Sequence, residues 1–182
     1  MTQTTCFPGE AVFSECGTWR TELRRRWRWD RMLAAWVCLN PSTATADEDD
    51  PTVRKIAGFS DRLGYGGFVL FNALSLRSTD PRGLLKHFNP RGPDNEPWKI
   101  AKRCKELSPD PAFVAWGAIH KKFHYDAMEV MRALQIFRVL GRTAEGHPRH
   151  PLMLAYRTEV QTLDPSHFFD VYLPEIRKRG LA

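Results

Sequence analysis

Apolar residues in this chain come in short unbroken runs, each ending on a polar residue or a glycine. The run Leu33 to Leu39 contains only hydrophobic residues and stops at Asn40-Pro41-Ser42-Thr43. Such a run is the pattern of a strand buried on both faces, as in parallel sheets covered by helices. Phe68 to Phe71 repeats it and stops at Asn72, Ala112 to Trp116 is closed by Gly117, and Ile136 to Leu140 is the fourth. Between them apolar positions recur at helical spacing. Asp50 as N-cap, Pro51 in the first turn, and Val53, Ile56, Ala57 and Leu63 predict a helix from Pro51 to Leu63. Two more helices are expected, one over Glu96 to Leu107 with Trp98, Ile100, Ala101 and Cys104 on its apolar side, one over Ala118 to Leu134. The Pro-, Gly- and Arg-rich stretch from Ser75 to Pro93 reads as a long loop with a turn of helix at Leu84 to His87. Ahead of the first buried strand, Ala11 to Cys16 and Arg20 to Trp29 read as an antiparallel hairpin, with Leu23, Trp27 and Trp29 turned inward.

Strands alternating with helices predict an α/β fold. The expected form is a three-layer α/β/α sandwich around a central, mostly parallel four-stranded sheet with an N-terminal antiparallel edge hairpin. At 182 residues the chain suits one domain, divided into edge strands over 1–30, a core over 31–157 and a C-terminal extension over 158–182. Hydrophobic residues make up 42% and charged residues 26%, which excludes a disordered polymer. There is no apolar run of eighteen residues, and MTQTTCFPGE has no secretory pattern, so a cytoplasmic monomer with no membrane partner is expected. The net charge of +6 is concentrated at Arg20 and Arg24-Arg25-Arg26-Trp27-Arg28-Trp29. Arginine interleaved with tryptophan suits phosphates and stacked bases, so a nucleic acid is the expected partner; a solvated surface strand is the plainer reading. Cys6, Cys16, Cys38 and Cys104 show no close spacing, which favours free, mostly buried thiols over a zinc site, and no metal or cofactor is expected.

Polar residues at the carboxyl ends of buried strands sit where open α/β sheets place ligands, so Asn40 and Asn72 are the first candidates. A third candidate region is the irregular loop GRTAEGHPRHPLMLAYR, where Arg142, Arg149 and Arg157 would meet phosphates around His150. His147 and His120 are read as structural or surface residues. The cluster Asp47, Glu48, Asp49 and Asp50 admits magnesium-dependent phosphoryl chemistry, but the stronger reading is a helix cap at Asp50, a dipole partner at Asp49 and a solvated Asp47.

Taken in order, LNPST, VLFNALS, AWGAIHKKF and HPLMLAYR resemble the strand-end motifs of the uracil-DNA glycosylase superfamily. The pattern also looks like a bacterial and phage domain family with LNPSTAD, DDPT, WG and HPL signatures and no assigned function. The first resemblance implies a uracil-DNA glycosylase-like fold and a DNA glycosylase that extrudes a pyrimidine, modified pyrimidines included, from DNA and hydrolyses its N-glycosidic bond. It implies that Asn40 holds the attacking water and His150 donates to the base oxygen. Pro41, Ser42, Phe71 and Asn72 would bind the base, and Leu154 would wedge into the space left by the flipped nucleotide. Asn40 is no base, which implies slow chemistry; Ser42, where relatives carry tyrosine, leaves room for substituents at the five position of the ring. Two alternatives stand beside this reading. One is a metal-dependent nuclease or nucleotide phosphohydrolase built on Asp47, Asp49 and Asp50; the other is a non-catalytic nucleic-acid-binding module using the Arg/Trp strand.

Overall fold

The structure, a computed structural model, describes residues 9–181. Its strands are β1 (Gly9–Phe13), β2 (Arg20–Arg26), β3 (Leu33–Cys38), β4 (Gly67–Asn72), β5 (Phe113–Val114), β6 (Phe137–Val139) and β7 (Gln161–Leu163). The helices among the described residues are α1 (Pro51–Arg62), α2 (Pro81–Lys86), α3 (Pro97–Leu107), α4 (His124–Leu134) and α5 (Phe169–Lys178). All seven strands join one sheet in the order β1-β2-β4-β3-β5-β6-β7. The α/β class expected from the sequence holds, but the sheet is mixed rather than mostly parallel. β4, β3, β5 and β6 pair in parallel, while β1 with β2, β2 with β4 and β6 with β7 pair antiparallel.

Period-two alternation along the strands sorts the core onto two faces. Ala34, Trp36 and Cys38 of β3 and Phe68 and Leu70 of β4 pack against Val53, Ile56 and Phe59 of α1. Trp36 stacks on Phe113 with ring centres 4.3 Å apart and donates its indole N–H to Ser60 Oγ at 3.0 Å, so the one polar atom of this buried ring is satisfied. The opposite face, with Ala35, Val37, Val69 and Phe71, is covered by α3, α4 and α5. The C-terminal residues set apart as an extension help build this layer. β7 pairs with β6, while Phe168, Tyr172 and Ile176 are buried against the sheet.

Several boundaries differ from those expected. The strand over 112–116 shortens to two residues in β5, and the helix expected from Ala118 starts at His124 after a 3-10 turn at Lys121–Phe123. Trp98 lies on the solvent side of α3, and Trp29 lies beyond β2, 73% exposed, with the Arg26 guanidinium 4.5 Å above its ring. Leu23 does face inward, and Trp27 is half-buried against Phe68. No helix among the described residues is long and apolar enough to cross a membrane. Cys38 and Cys104 are free and buried and Cys16 is free and exposed, while Cys6 lies outside the described residues.

On the α1 side of β2, Arg25 is structural rather than free for phosphates. Arg25 is fully buried and donates Nε to Asp49 Oδ1 at 2.9 Å, Nη2 to the Thr45 carbonyl at 2.6 Å and Nη1 to the Arg24 carbonyl at 2.7 Å. In the segment between β3 and α1, Arg25 thereby satisfies the Thr45 carbonyl and pairs with the Asp49 carboxylate. That segment begins with Asn40 and ends with Asp50.

Candidate functional site

A cavity of about 220 Å³ opens where β3 and β4 end, lined by Arg20, Cys38, Asn40, Ser42, Asp50, Asn72, Ser78, Trp116 and His150 among others. It is smaller than the roughly 300–1,000 Å³ of drug-sized ligand sites and suits a single ring. Register explains the convergence. β3 and β4 run parallel with Cys38 beside Asn72, so Cys38, Leu70 and Asn72 face the α1 side together. Phe71, one residue earlier, points to the other face and packs in the α3–α5 core, so it is not a base-binding residue of this cavity. Trp116 supplies an aromatic wall instead.

Each polar group at the cavity is constrained differently. Asn40 donates its Nδ2 hydrogens to the carbonyls of Pro41 at 2.9 Å and Ser78 at 2.8 Å, which identifies Oδ1 as its remaining acceptor. Pro41 itself is buried; it contributes that carbonyl, which also accepts Ser78 N–H at 3.0 Å, rather than a cavity surface. Asn72 is 1% exposed, and neither its Oδ1 nor its Nδ2 has a hydrogen-bond partner. Its backbone carbonyl is satisfied by Asn95 Nδ2 at 3.0 Å, so only the side chain is left open.

His150 caps the 3-10 turn Pro151–Met153 by accepting Leu152 N–H at its Nδ1, 3.3 Å away. An accepting Nδ1 puts the proton of the neutral ring on Nε2. Burial pushes the His150 pKa below its ordinary value, with the negative charge of Asp50 acting weakly in the other direction, so the ring is neutral near pH 7. Trp116 donates Nε1–H to Tyr172 Oη at 2.9 Å, and that hydroxyl meets His147 Nδ1 at 3.1 Å. Gly117 adopts φ +75°, and a Cβ there would stand 3.2 Å from the Cβ of His150. With Gly117 N–H bonded to the Pro148 carbonyl at 2.8 Å, the glycine of the Trp-Gly pair is what lets the His150 loop close on the end of β5.

A family model matches residues 20–152, from the start of β2 to the turn that follows His150. The chain belongs to the DUF1643 family, described as protein of unknown function. No curated protein and no solved structure matches the chain. All residues lining the cavity fall inside the span matched by DUF1643, whereas β1, Leu154 and the C-terminal layer fall outside it.

Arg20 and Trp116 line the cavity without a ligand-facing signal in the sequence, and Asp50, which reads there as a helix cap or in the alternative as a metal ligand, lines it too. Asp50 is the helix cap expected from the sequence: its Oδ1 accepts Val53 N–H at 2.8 Å. It also lines the cavity, and no hydrogen bond among the described residues engages its Oδ2. Trp116 stands out in the sequence only as part of the Trp-Gly pair. In the sequence Arg20 belongs to a basic strand, and only tertiary structure shows it buried at the cavity that Asn72 also lines.

Other expected site residues lie elsewhere. Leu154 is 4% exposed and packs in the α1-side core, which rules it out as a wedge; the 3-10 turn carries the chain back beneath α1 and leaves Met153 outside, 88% exposed. Arg142, Arg149 and Arg157 are exposed and do not line the cavity, and Arg142 donates to the His167 carbonyl at 3.3 Å. In the acidic cluster, Asp49 is paired with Arg25, Asp50 caps α1 and Asp47 is exposed. The described residues contain no group of three or more His, Cys, Asp or Glu placed to hold a metal ion.

Proposed function

We propose that this DUF1643 protein is an N-glycosyl hydrolase that takes a pyrimidine-like ring, displaced from DNA, into the cavity and cleaves its bond to the sugar. The observation that carries this reading is the buried, unpartnered amide of Asn72. Leaving such groups unsatisfied costs on the order of 1–3 kcal/mol each, a cost that persists naturally where a ligand completes the bonds. An amide presents one acceptor and two donors in one plane, which matches the pairing edge of a base.

The remaining side chains fit the steps of hydrolysis. Trp116 offers a flat wall for the ring, and Ser42 leaves space beside it. Asn40 Oδ1 holds a water, and Asp50 Oδ2 takes its proton as the oxygen attacks the sugar carbon; this carboxylate supplies the base that Asn40 cannot be. The bond to the ring breaks with its electron pair leaving on the base, whose oxygen receives a hydrogen bond from His150 Nε2–H. The parallel set β4-β3-β5-β6 with an asparagine at the ends of β3 and β4 supports relating the fold to the uracil-DNA glycosylase superfamily.

The test is to incubate the purified protein with oligonucleotides carrying uracil, mismatched thymine or 5-substituted pyrimidines, in the presence of EDTA, and then to cleave abasic sites with alkali. Strand cleavage at the modified position, lost in Asn40→Ala, Asn72→Ala and Asp50→Asn, is expected. No cleavage across the panel by the wild-type protein overturns the proposal.

A further inference from the structure

We infer that Arg20 is a ligand-binding residue and that the ring held in the cavity, rather than a phosphate, presents a negatively charged oxygen to it. Arg20 is 1% exposed, yet its guanidinium is only partly used: Nη1 donates to the Ala44 carbonyl at 2.7 Å, Nε is buried with no partner, and no carboxylate pairs with it among the described residues. Its position is built into the sheet. Val12 faces Glu22 but Phe13 faces Arg20, a one-residue slip that leaves Thr21 as the extra residue of a bulge. Without it, alternation from Leu23 would send Arg20 to the α3 side; with it, Arg20 joins Leu70 and Asn72 at the cavity.

A guanidinium has five donors and no acceptor, so a ring amino group is repelled there and an oxygen, above all an ionised one, is bound. Burial lowers the Arg20 pKa to about 10, with the charge of Asp50 opposing that shift, so the side chain is a cation throughout the neutral range. Beside the amide of Asn72, the fixed charge fits either a ring that is itself ionised or an acidic substituent on a neutral ring. The inference rests on the proposed ring site but not on turnover, since it concerns binding alone.

Binding of free rings to the full-length protein at pH 7.5, followed by calorimetry or ligand-observed NMR, separates these cases. Thymine is the neutral reference, 5-nitrouracil carries an ionised ring, and 5-carboxyuracil carries an acidic substituent on a neutral ring. At least one acidic ring is expected to bind about tenfold tighter than thymine, the margin of a charge-assisted bond over a neutral one. Arg20→Met should abolish the preference and Arg20→Lys should keep part of it, with both folds checked by circular dichroism. If Arg20→Met does not fold, the wild-type series still decides. Acidic rings binding no tighter than thymine, or no ring binding at all, overturns the inference; inorganic phosphate displacing the acidic ring at equal concentration also does so, by making Arg20 a phosphate subsite. Acid-selective binding without base release would sustain Arg20 and sink the hydrolase; base release without acid selectivity would do the reverse.

Discussion

Asn72→Leu should make the protein more stable and inactive at once. Leucine has nearly the shape of asparagine but no polar atoms, and in the folded chain neither Oδ1 nor Nδ2 of Asn72 has a partner while its neighbours on β4 are buried. Removing an unsatisfied buried polar group recovers on the order of 1–3 kcal/mol. For a chain of this length that corresponds to a rise in Tm of about 2–12 °C, taking roughly 2–4 °C per kcal/mol. Thermal unfolding followed by circular dichroism, with urea unfolding at 25 °C as a second measure, reads the change, and base release from the oligonucleotide panel reads the loss. A variant less stable than wild type by more than about 1 kcal/mol would refute the reasoning, since the amide would then be part of the fold rather than held open for a ligand.

Leu154→Ala should cost about 2–5 kcal/mol through the cavity it leaves beneath α1, whereas exposed Met153→Ala should leave urea unfolding unchanged. Arg25→Ala strands Asp49 and the Thr45 carbonyl and should cost about 3–5 kcal/mol in the same assay, while Arg24→Ala, whose side chain is partly exposed, should cost under about 1 kcal/mol. Burial holds the pKa values of His124, His147 and His150 below 6.5, so the unfolded chain binds protons first. Their contribution is fully present above that value and is lost as pH falls below it. Stability should therefore drop from pH 7 to pH 5, less steeply in His147→Asn, and a pH-independent unfolding midpoint across that range would contradict the burial of these rings.

The sequence made the strand ends legible because an all-apolar run that stops at asparagine is a local signal. Asn40, Asn72 and His150 come together as their places at strand ends suggested, and the helix after Asp50-Pro51 begins at Pro51. What stayed hidden is non-local. Whether Phe71 or its neighbour faces the cavity depends on which sheet face α1 covers, a pairing that periodicity alone leaves open. Leu154 lies in an apolar triplet, Leu152 to Leu154, and only the 3-10 turn decides which member returns to the core. Arg20 and Arg25 look like a basic surface, and their burial follows from carbonyls on a segment about twenty residues away.

These hidden contacts bear on the chemistry through one segment. Asn40 and Asp50 stand at its two ends, the first anchored to the end of β3 and the carbonyl of Ser78, the second to the first turn of α1. Neither anchor fixes the distance between them. That is left to the middle of the segment, where Arg20 takes the Ala44 carbonyl and Arg25 takes the Thr45 carbonyl and the Asp49 carboxylate. β2 therefore acts as a splint: its arginines hold in register the residue proposed to position the water and the residue proposed to deprotonate it. The bulge at Thr21 lets the strand do both tasks, because the same slip that turns Arg20 toward the cavity also lets it reach Ala44. A site assembled this way would tie binding to folding, since the cation proposed to face the ligand also supports the loop that carries the proposed reacting groups.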